Sequence, residues 1–282
     1  MKRAFLWSVV LVSLGIHPFA ASGETPEQAF NSGETLLAQA DFQGALGAFG
    51  RAARADRGNR EYLQHYAVVR RVVMLRRQLD AEEDDARWEY IARGLHAFYV
   101  SQRLHGEALA LDRKMHAKLD NASSAVMLAE THLALNQDAE AAETLASLPP
   151  AEQTPSTRSL RGLALARQGK LDEARRIAAG VGPSGDAGPG AIYRVARLNA
   201  AVGNDEQALG LLTRCFETVA PSRLDAFKDH ARQSPEFTRL ASTSAFAQVM
   251  KTESKVAESK CSGGSRCAGC PMRGKCGHGR GQ

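Results

Sequence analysis

The sequence predicts an all-α protein in which short helices stack in pairs. Its 282 residues are rich in Ala, Leu, Arg and Glu and contain few β-branched residues, a composition that favours helix. Pairs of small residues, twelve positions apart, recur along the chain, and the last three pairs follow one another at steps of 33 and 34 residues. Two helices that cross closely need Gly or Ala at the contact, so this spacing predicts a repeating helix pair. The pairs are Gly33 with Ala45, Ala129 with Ala141, Gly162 with Ala174, and Ala196 with Ala208.

Residues 159–180 show the predicted pair most clearly. Apolar residues at helical spacing, such as Leu163 and Ile177, mark two helices on either side of a short turn. Gly169 lies in that turn, where a left-handed conformation would end the first helix. Residues 136–138 and 203–205 occupy the equivalent turns of the neighbouring pairs.

A helix pair of about 34 residues resembles the tetratricopeptide repeat family, and the resemblance covers about Thr25 to Pro221, within predicted repeats at 24–221. It implies a right-handed solenoid in which the first helix of each pair lines a concave groove that binds a protein or peptide segment. Residues 222–250 resemble the short helical segment that ends many bacterial arrays of this family, through the run from Ser234 to Leu240 and the later Phe246. Such a cap covers the apolar face that the last repeat would otherwise expose.

The resemblance also implies which side chains face the groove. These side chains are mixed in sign, and the Lys and Asn set with which chaperone-type repeats clamp a terminal carboxylate is absent. The alternative interpretation is that they are ordinary solvated polar residues. The assigned groove residues are Glu34, Gln64, Arg71, Arg93, Glu130, Ser159, Tyr193 and Arg197.

Residues 59–118 depart from the regular period. The apolar spacing from Tyr62 to Leu79 predicts one long helix, and the acidic run at 82–85 predicts the start of another, because anions are stabilised at a helix N-terminus. The aromatic residues of this region are predicted to lie in the core. Its scattered histidines show no metal-ligand spacing and are predicted to be structural, and Cys215 is predicted to be a buried, inert thiol.

Residues 1–23 are predicted to be a cleaved signal peptide. Lys2 and Arg3 precede an apolar run at 5–16, and small residues at 20–23 suit a signal peptidase. The alternatives are an uncleaved membrane anchor and, because Lys2-Arg3 resembles a variant of the twin-arginine signal, export by that route instead of the general secretory route. The absence of Cys in this segment excludes a lipoprotein anchor. We therefore expect an exported protein of a bacterial periplasm or cell envelope, which meets the membrane surface only transiently during export.

The charge distribution argues against nucleic-acid binding. The net charge is +5, but residues 251–282 carry seven Lys or Arg against two Asp or Glu, and the body of the chain is close to neutral. A nucleic-acid surface would place the positive charge on the folded body. Residues 251–260 are instead predicted to be a charged linker.

The tail at 261–282 holds four cysteines within sixteen residues and too few apolar residues to build a core. It is predicted to be either disordered or cross-linked by sulfur or metal. Two disulfides, one zinc ion, copper or an iron–sulfur cluster all remain open, and the run from Cys267 to Gly277 is similar to auxiliary iron–sulfur segments of radical enzymes. The candidate metal ligands are Cys261, Cys267, Cys270, Cys276 and His278.

The sequence carries none of the catalytic patterns that would indicate an enzyme, such as a phosphate-binding Gly loop or a nucleophile elbow. The sequence therefore predicts a non-enzymatic scaffold for protein–protein interaction. The alternative is a metal or iron–sulfur carrier that uses the C-terminal cysteines.

Overall fold

The computed structural model describes residues 24–185 and 187–257, and within these ranges every regular element is a helix. The all-α prediction is therefore confirmed. None of the helices in this part is both long enough and apolar enough to span a bilayer. The thirteen α-helices of the described residues are α1 Pro26–Ala38, α2 Phe42–Ala55, α3 Arg60–Ala81, α4 Asp85–Ser101, α5 His105–Leu119, α6 Ala122–Ala134, α7 Asp138–Ala146, α8 Pro155–Arg167, α9 Leu171–Ala179, α10 Pro189–Val202, α11 Asp205–Thr218, α12 Pro221–Gln233 and α13 Ser244–Val249.

The chain divides into two compact units, residues 1–91 and 92–282. In the N-terminal unit, α1 packs on α2 and α2 packs on α3. Phe30 and Phe49 meet in its core with ring centroids 5.4 Å apart. The helix α3 is long, at 22 residues, and it turns Val69, Val72 and Val73 inward. The single long helix predicted for this region is confirmed.

In the C-terminal unit, each helix from α5 to α11 packs on the next, and α8 also contacts both α6 and α10. Contacts of this kind, between sequence neighbours and between alternate helices, define a stack of helix pairs. The predicted helix-pair arrangement is confirmed here by α6 with α7, α8 with α9, and α10 with α11. Each pair buries its own apolar side chains against the next pair.

The small residues of the repeat lie where the helices approach closely, and all eight of them are buried. A Cβ atom on Gly33 would lie 2.6 Å from a ring carbon of Phe49, which is closer than carbon atoms can approach. A Cβ atom on Gly162 would lie 2.9 Å from Leu198 Cδ1 and 3.1 Å from Ile177 Cγ2. The predicted role of these positions is therefore confirmed.

The turns inside the pairs also follow the prediction. Gly169 has φ +80°, and Gly203 has φ +91°, both in the left-handed region that glycine adopts without steric cost. Asn136 takes the same conformation with φ +56°, as asparagine does more readily than most residues. In the first pair, Ala40 takes this conformation with φ +60°, although alanine rarely adopts it and the sequence therefore did not predict it.

The C-terminal segment packs against α10 and α11. A short 3₁₀ helix, Pro235–Phe237, contacts α10, and α13 contacts α11. Phe237, Leu240 and Phe246 are almost completely buried in the same cluster as Leu212 and Phe216. Residues 251–255 then continue along α11, where the Lys255 amide donates to the Glu217 carbonyl at 2.8 Å.

Substitution of Gly162 tests the helix register directly. We expect Gly162→Leu to lower the free energy of unfolding by about 1–3 kcal/mol, because the new side chain must displace Leu198 and Ile177. Lys170→Gln is the matched control, since Lys170 is exposed in the following turn and its replacement should change stability by less than about 0.5 kcal/mol. Equal melting temperatures for the two variants would contradict the register.

Candidate functional site

The residues assigned to the groove fall into three classes of exposure. Glu34, Gln64 and Arg71 in the N-terminal unit are exposed, and they lie on α1 and α3. In the C-terminal unit, Arg93 and Glu130 are partly buried, whereas Ser159, Tyr193 and Arg197 are buried. The two units therefore offer surfaces of different character, and the exposed groove residues belong to the N-terminal one.

Ser159 and Arg93 have local partners in the C-terminal unit. The Ser159 hydroxyl donates to the Pro155 carbonyl at 2.6 Å, one turn back in α8, so its side chain faces its own helix. The Arg93 guanidinium lies 3.1 Å from Met127 Sδ and also donates to the Ser123 hydroxyl at 3.1 Å. Arg93 thus ties α4 to α6.

Arg197 belongs to a buried ionic group with Arg167 and Glu236, which we call the Glu236 cluster. Glu236 enters from the 3₁₀ helix, its side chain is 2% exposed, and it accepts hydrogen bonds from both guanidinium groups. Arg167 also donates to the Leu133 carbonyl at 2.9 Å and thereby reaches α6. One carboxylate from the C-terminal segment thus joins the C-terminal end of α8 to the middle of α10.

Electrostatics within the cluster favour the charged forms. Although burial acts against ionisation, the Arg197 and Arg167 guanidinium groups lower the pKa of Glu236 below its ordinary value. Burial likewise opposes the positive charge of Arg197, but Glu236 raises the pKa of that guanidinium overall. Each buried charge is therefore stabilised by its partners within the cluster.

Tyr193 and Glu130 lie beside the Glu236 cluster. The Tyr193 hydroxyl is 2.7 Å from His230 Nδ1 and 3.3 Å from the Ser234 hydroxyl, and burial raises the Tyr193 pKa well above its ordinary value. Glu130 accepts from Arg194 Nε at 2.9 Å, which links α6 to α10 across α8. The structure thus brings Glu130, Tyr193 and Arg197 together.

Sequence reasoning assigned no role in this group to Glu236, Arg167 or His230. Glu236 lies 39 residues from Arg197 and 69 from Arg167, so no local pattern could connect them. The chemistry of the group is structural, because its hydroxyl, imidazole and carboxylate groups already satisfy one another.

Three of the four histidines of residues 59–118, namely His65, His96 and His116, likewise have local partners, whereas His105 Nδ1 is buried without a hydrogen-bond partner. His96 Nδ1 lies 2.7 Å from Asp112 Oδ1, and the Thr131 hydroxyl donates to the other oxygen of the same carboxylate at 2.6 Å. Asp112 is fully buried, so this group joins α4, α5 and α6 in the core. The arrangement supports the structural role predicted for His96.

In the N-terminal unit, one side of α3 exposes large apolar residues together with arginines. Leu63, Val68 and Met74 are 43%, 43% and 58% exposed, so three large apolar side chains of one helix meet solvent. By helical spacing, Leu63 and Met74 lie opposite Val72, which is buried against the rest of the unit, whereas Val68 lies at the edge of the exposed side. We call this exposed side the α3 face; its members are Arg60, Leu63, Gln64, Ala67, Val68, Arg70, Arg71, Met74 and Arg77.

The predicted metal ligands cannot be placed in the structure. Cys261, Cys267, Cys270, Cys276 and His278 lie outside the described residues, and within 24–185 and 187–257 no three potential ligands cluster around a common point. Cys215 is buried and free, and burial raises the pKa of its thiol to about 12. Such a thiol is protonated and inert at neutral pH, as predicted.

A cavity between α7, α8 and α9 holds about 50 Å³ and is lined by Leu145, Thr157, Arg161 and Ile177 among others. Sites for small-molecule substrates usually enclose several hundred Å³. This cavity is therefore too small to serve as one.

No protein-family model matches this chain, and no curated protein matches it. Among solved structures, it is similar to a thermophilic tetratricopeptide repeat protein of Thermus thermophilus, with 18% identity, a TM-score of 0.35, and coverage of 73% of this chain and 97% of the other. It is also similar to a tetratricopeptide repeat protein of Parabacteroides merdae, with 14% identity, a TM-score of 0.41, and coverage of 82% and 99%. Likeness at this level carries no argument about function, and the fold described above rests on the helix pairs of the chain itself.

Proposed function

We propose that this protein is a scaffold that binds a protein partner in the bacterial cell envelope. The observation that carries the proposal is the α3 face, on which Leu63, Val68 and Met74 are exposed beside Gln64 and Arg71. Exposed apolar side chains on one side of a rigid helix are typical of a surface that a partner covers.

The C-terminal unit is a weaker candidate for the same role. Its polar groups at the predicted groove, including Arg197 and Tyr193, are buried and already paired with Glu236, His230 and Ser234. A partner would have to break these pairs before it could use the groups, and breaking a buried ion pair is costly. The α3 face carries no such cost.

The envelope location rests on the leader sequence. The basic start, the apolar run at 5–16 and the small residues at 20–23 together suit export and cleavage near residues 22–25. In this proposal, the charged linker and the cysteine-bearing tail follow the folded body outside the cytoplasm.

Site-specific photo-crosslinking in the native host tests both parts of the proposal. A benzophenone amino acid at Gln64 should give a discrete protein adduct in the periplasmic fraction, and the adduct should disappear when Met74→Glu is added. The same probe at Lys114, an exposed position on α5, is the matched control and should give no such adduct. Absence of an adduct at Gln64, or identical adducts at both positions, would contradict partner binding. An adduct found in the cytoplasm would contradict export.

A further inference from the structure

We infer that the α3 face binds an acidic segment of its partner, with negative side chains alternating with apolar ones. This inference rests on the proposed function and adds the chemistry of the partner. It follows from the charges on the face, from its dimensions and from the position of its apolar residues.

The charge of the α3 face is positive throughout. Four arginines on this side of the helix are exposed, and none of them forms an ion pair with any residue that the structure describes. The acidic residues of α3 lie elsewhere by helical spacing, since Asp80 falls on the opposite side and Glu61 at the edge. The four arginines are Arg60, Arg70, Arg71 and Arg77.

The face has the length of a peptide site. From Arg60 to Arg77 the helix rises about 26 Å, which corresponds to about eight residues of an extended chain or about five turns of a partner helix. Leu63, Val68 and Met74 are distributed along this length between the arginines. A partner therefore meets positive and apolar groups in alternation, and acidic residues interspersed with apolar ones complement both.

A lipid surface fits the same face less well. Gln64 and Arg71 lie in the middle of it by helical spacing, so insertion of Leu63 or Met74 into hydrocarbon would bring these polar groups along. Helices that lie in a membrane interface instead keep polar groups on one side and a continuous apolar surface on the other. An acidic protein segment can pair with Arg71 at the same time as it covers Met74.

A second copy of the chain also fits poorly. Two α3 faces placed against each other would bring Arg70 and Arg71 of one copy onto the same arginines of the other. Like charges placed in direct contact oppose association. The acidic run at 82–85 follows the end of α3.

The test is selection from a displayed library of random 16-residue peptides on the full-length mature protein. We expect the enriched peptides to carry net negative charge, and their affinity should fall at least tenfold in Arg71→Glu and in Met74→Ser. Arg113→Glu makes the same charge change at an exposed site in the C-terminal unit and should leave the affinity unchanged. Binding should also weaken as salt is raised, because exposed charges are screened. Unchanged melting temperatures would show that the variants remain folded.

The outcomes separate this inference from the proposed function. Peptides that bind but are neutral or basic, or that are insensitive to Arg71→Glu and Met74→Ser, would overturn the inference and leave a partner site elsewhere. Failure to enrich any peptide would count against both. Binding to phosphatidylglycerol vesicles that is lost in Arg71→Glu, without peptide binding, would replace the partner with a membrane. A dimer in sedimentation analysis that dissociates in Met74→Ser would replace it with a second copy.

Discussion

Glu236→Gln is expected to lower the free energy of unfolding by about 3–5 kcal/mol, because it leaves the buried Arg197 guanidinium without its negative partner. Urea denaturation followed by circular dichroism measures this change. Glu143→Gln is the matched control, since Glu143 is exposed on α7 and its replacement should have almost no effect. Addition of Arg197→Met to Glu236→Gln should recover part of the loss, because it removes the unpaired charge. A loss below about 1 kcal/mol in Glu236→Gln would show that the cluster does not stabilise the fold.

The Glu236 cluster should also give the stability a specific pH dependence. The pKa of Glu236 in the folded state lies below the ordinary value of 4.5, so its contribution is fully present above pH 4.5 and is lost as pH falls through the folded pKa. The difference in stability between the wild type and Glu236→Gln should therefore be constant near neutral pH and should shrink on acidification below about pH 4.5. A difference that instead grew at low pH would contradict the charged state of Glu236.

Phe237→Ala is expected to have an effect of similar size, with a loss of about 3–5 kcal/mol. The Phe237 ring is 1% exposed, and it lies with its centroid 6.2 Å from those of both Tyr193 and Phe246. Its removal leaves a cavity between α10 and the C-terminal segment. Differential scanning calorimetry measures the change in melting temperature, and Val256→Ala, at an exposed apolar position, serves as the control.

Phe237→Ala also distinguishes two ways in which the fold can fail. If residues 221–257 form one cooperative unit with α10 and α11, the variant should melt in a single transition at lower temperature. A new early transition with the original main transition preserved would show instead that this segment detaches on its own. Melting at the wild-type temperature would contradict the burial of Phe237.

The features that the sequence predicted well are local ones. The close helix crossing at Gly162 could be predicted because the two helices of a pair are separated by only a few turns of sequence. The turn at Gly169 could be predicted because its left-handed conformation depends on its own backbone. Ala40 takes the same left-handed conformation although its residue type does not favour it, so the sequence did not reveal this turn geometry.

The parts that could not be predicted depend on residues far apart in the chain. Tyr193 and Arg197 were correctly placed on the first helix of a repeat, but their burial depends on Ser234 and Glu236 of the C-terminal segment. The sequence also did not show that Met74 and Val68 are exposed, because apolar residues occur around most of the circumference of α3. Only the structure separates the core side of this helix from its exposed side.

The pattern of neighbour contacts in the C-terminal unit has a consequence for motion. Since each helix from α5 to α11 mainly contacts helices one or two places away in sequence, a pair can open without disturbing distant pairs, and amide hydrogen exchange should reveal separate opening units. The link from Arg167 to Glu236 reaches further, because it connects residues 69 positions apart. It makes opening of the C-terminal end energetically dependent on α8, so the slowest-exchanging amides should lie in the two helices that it joins to Glu236, α8 and α10.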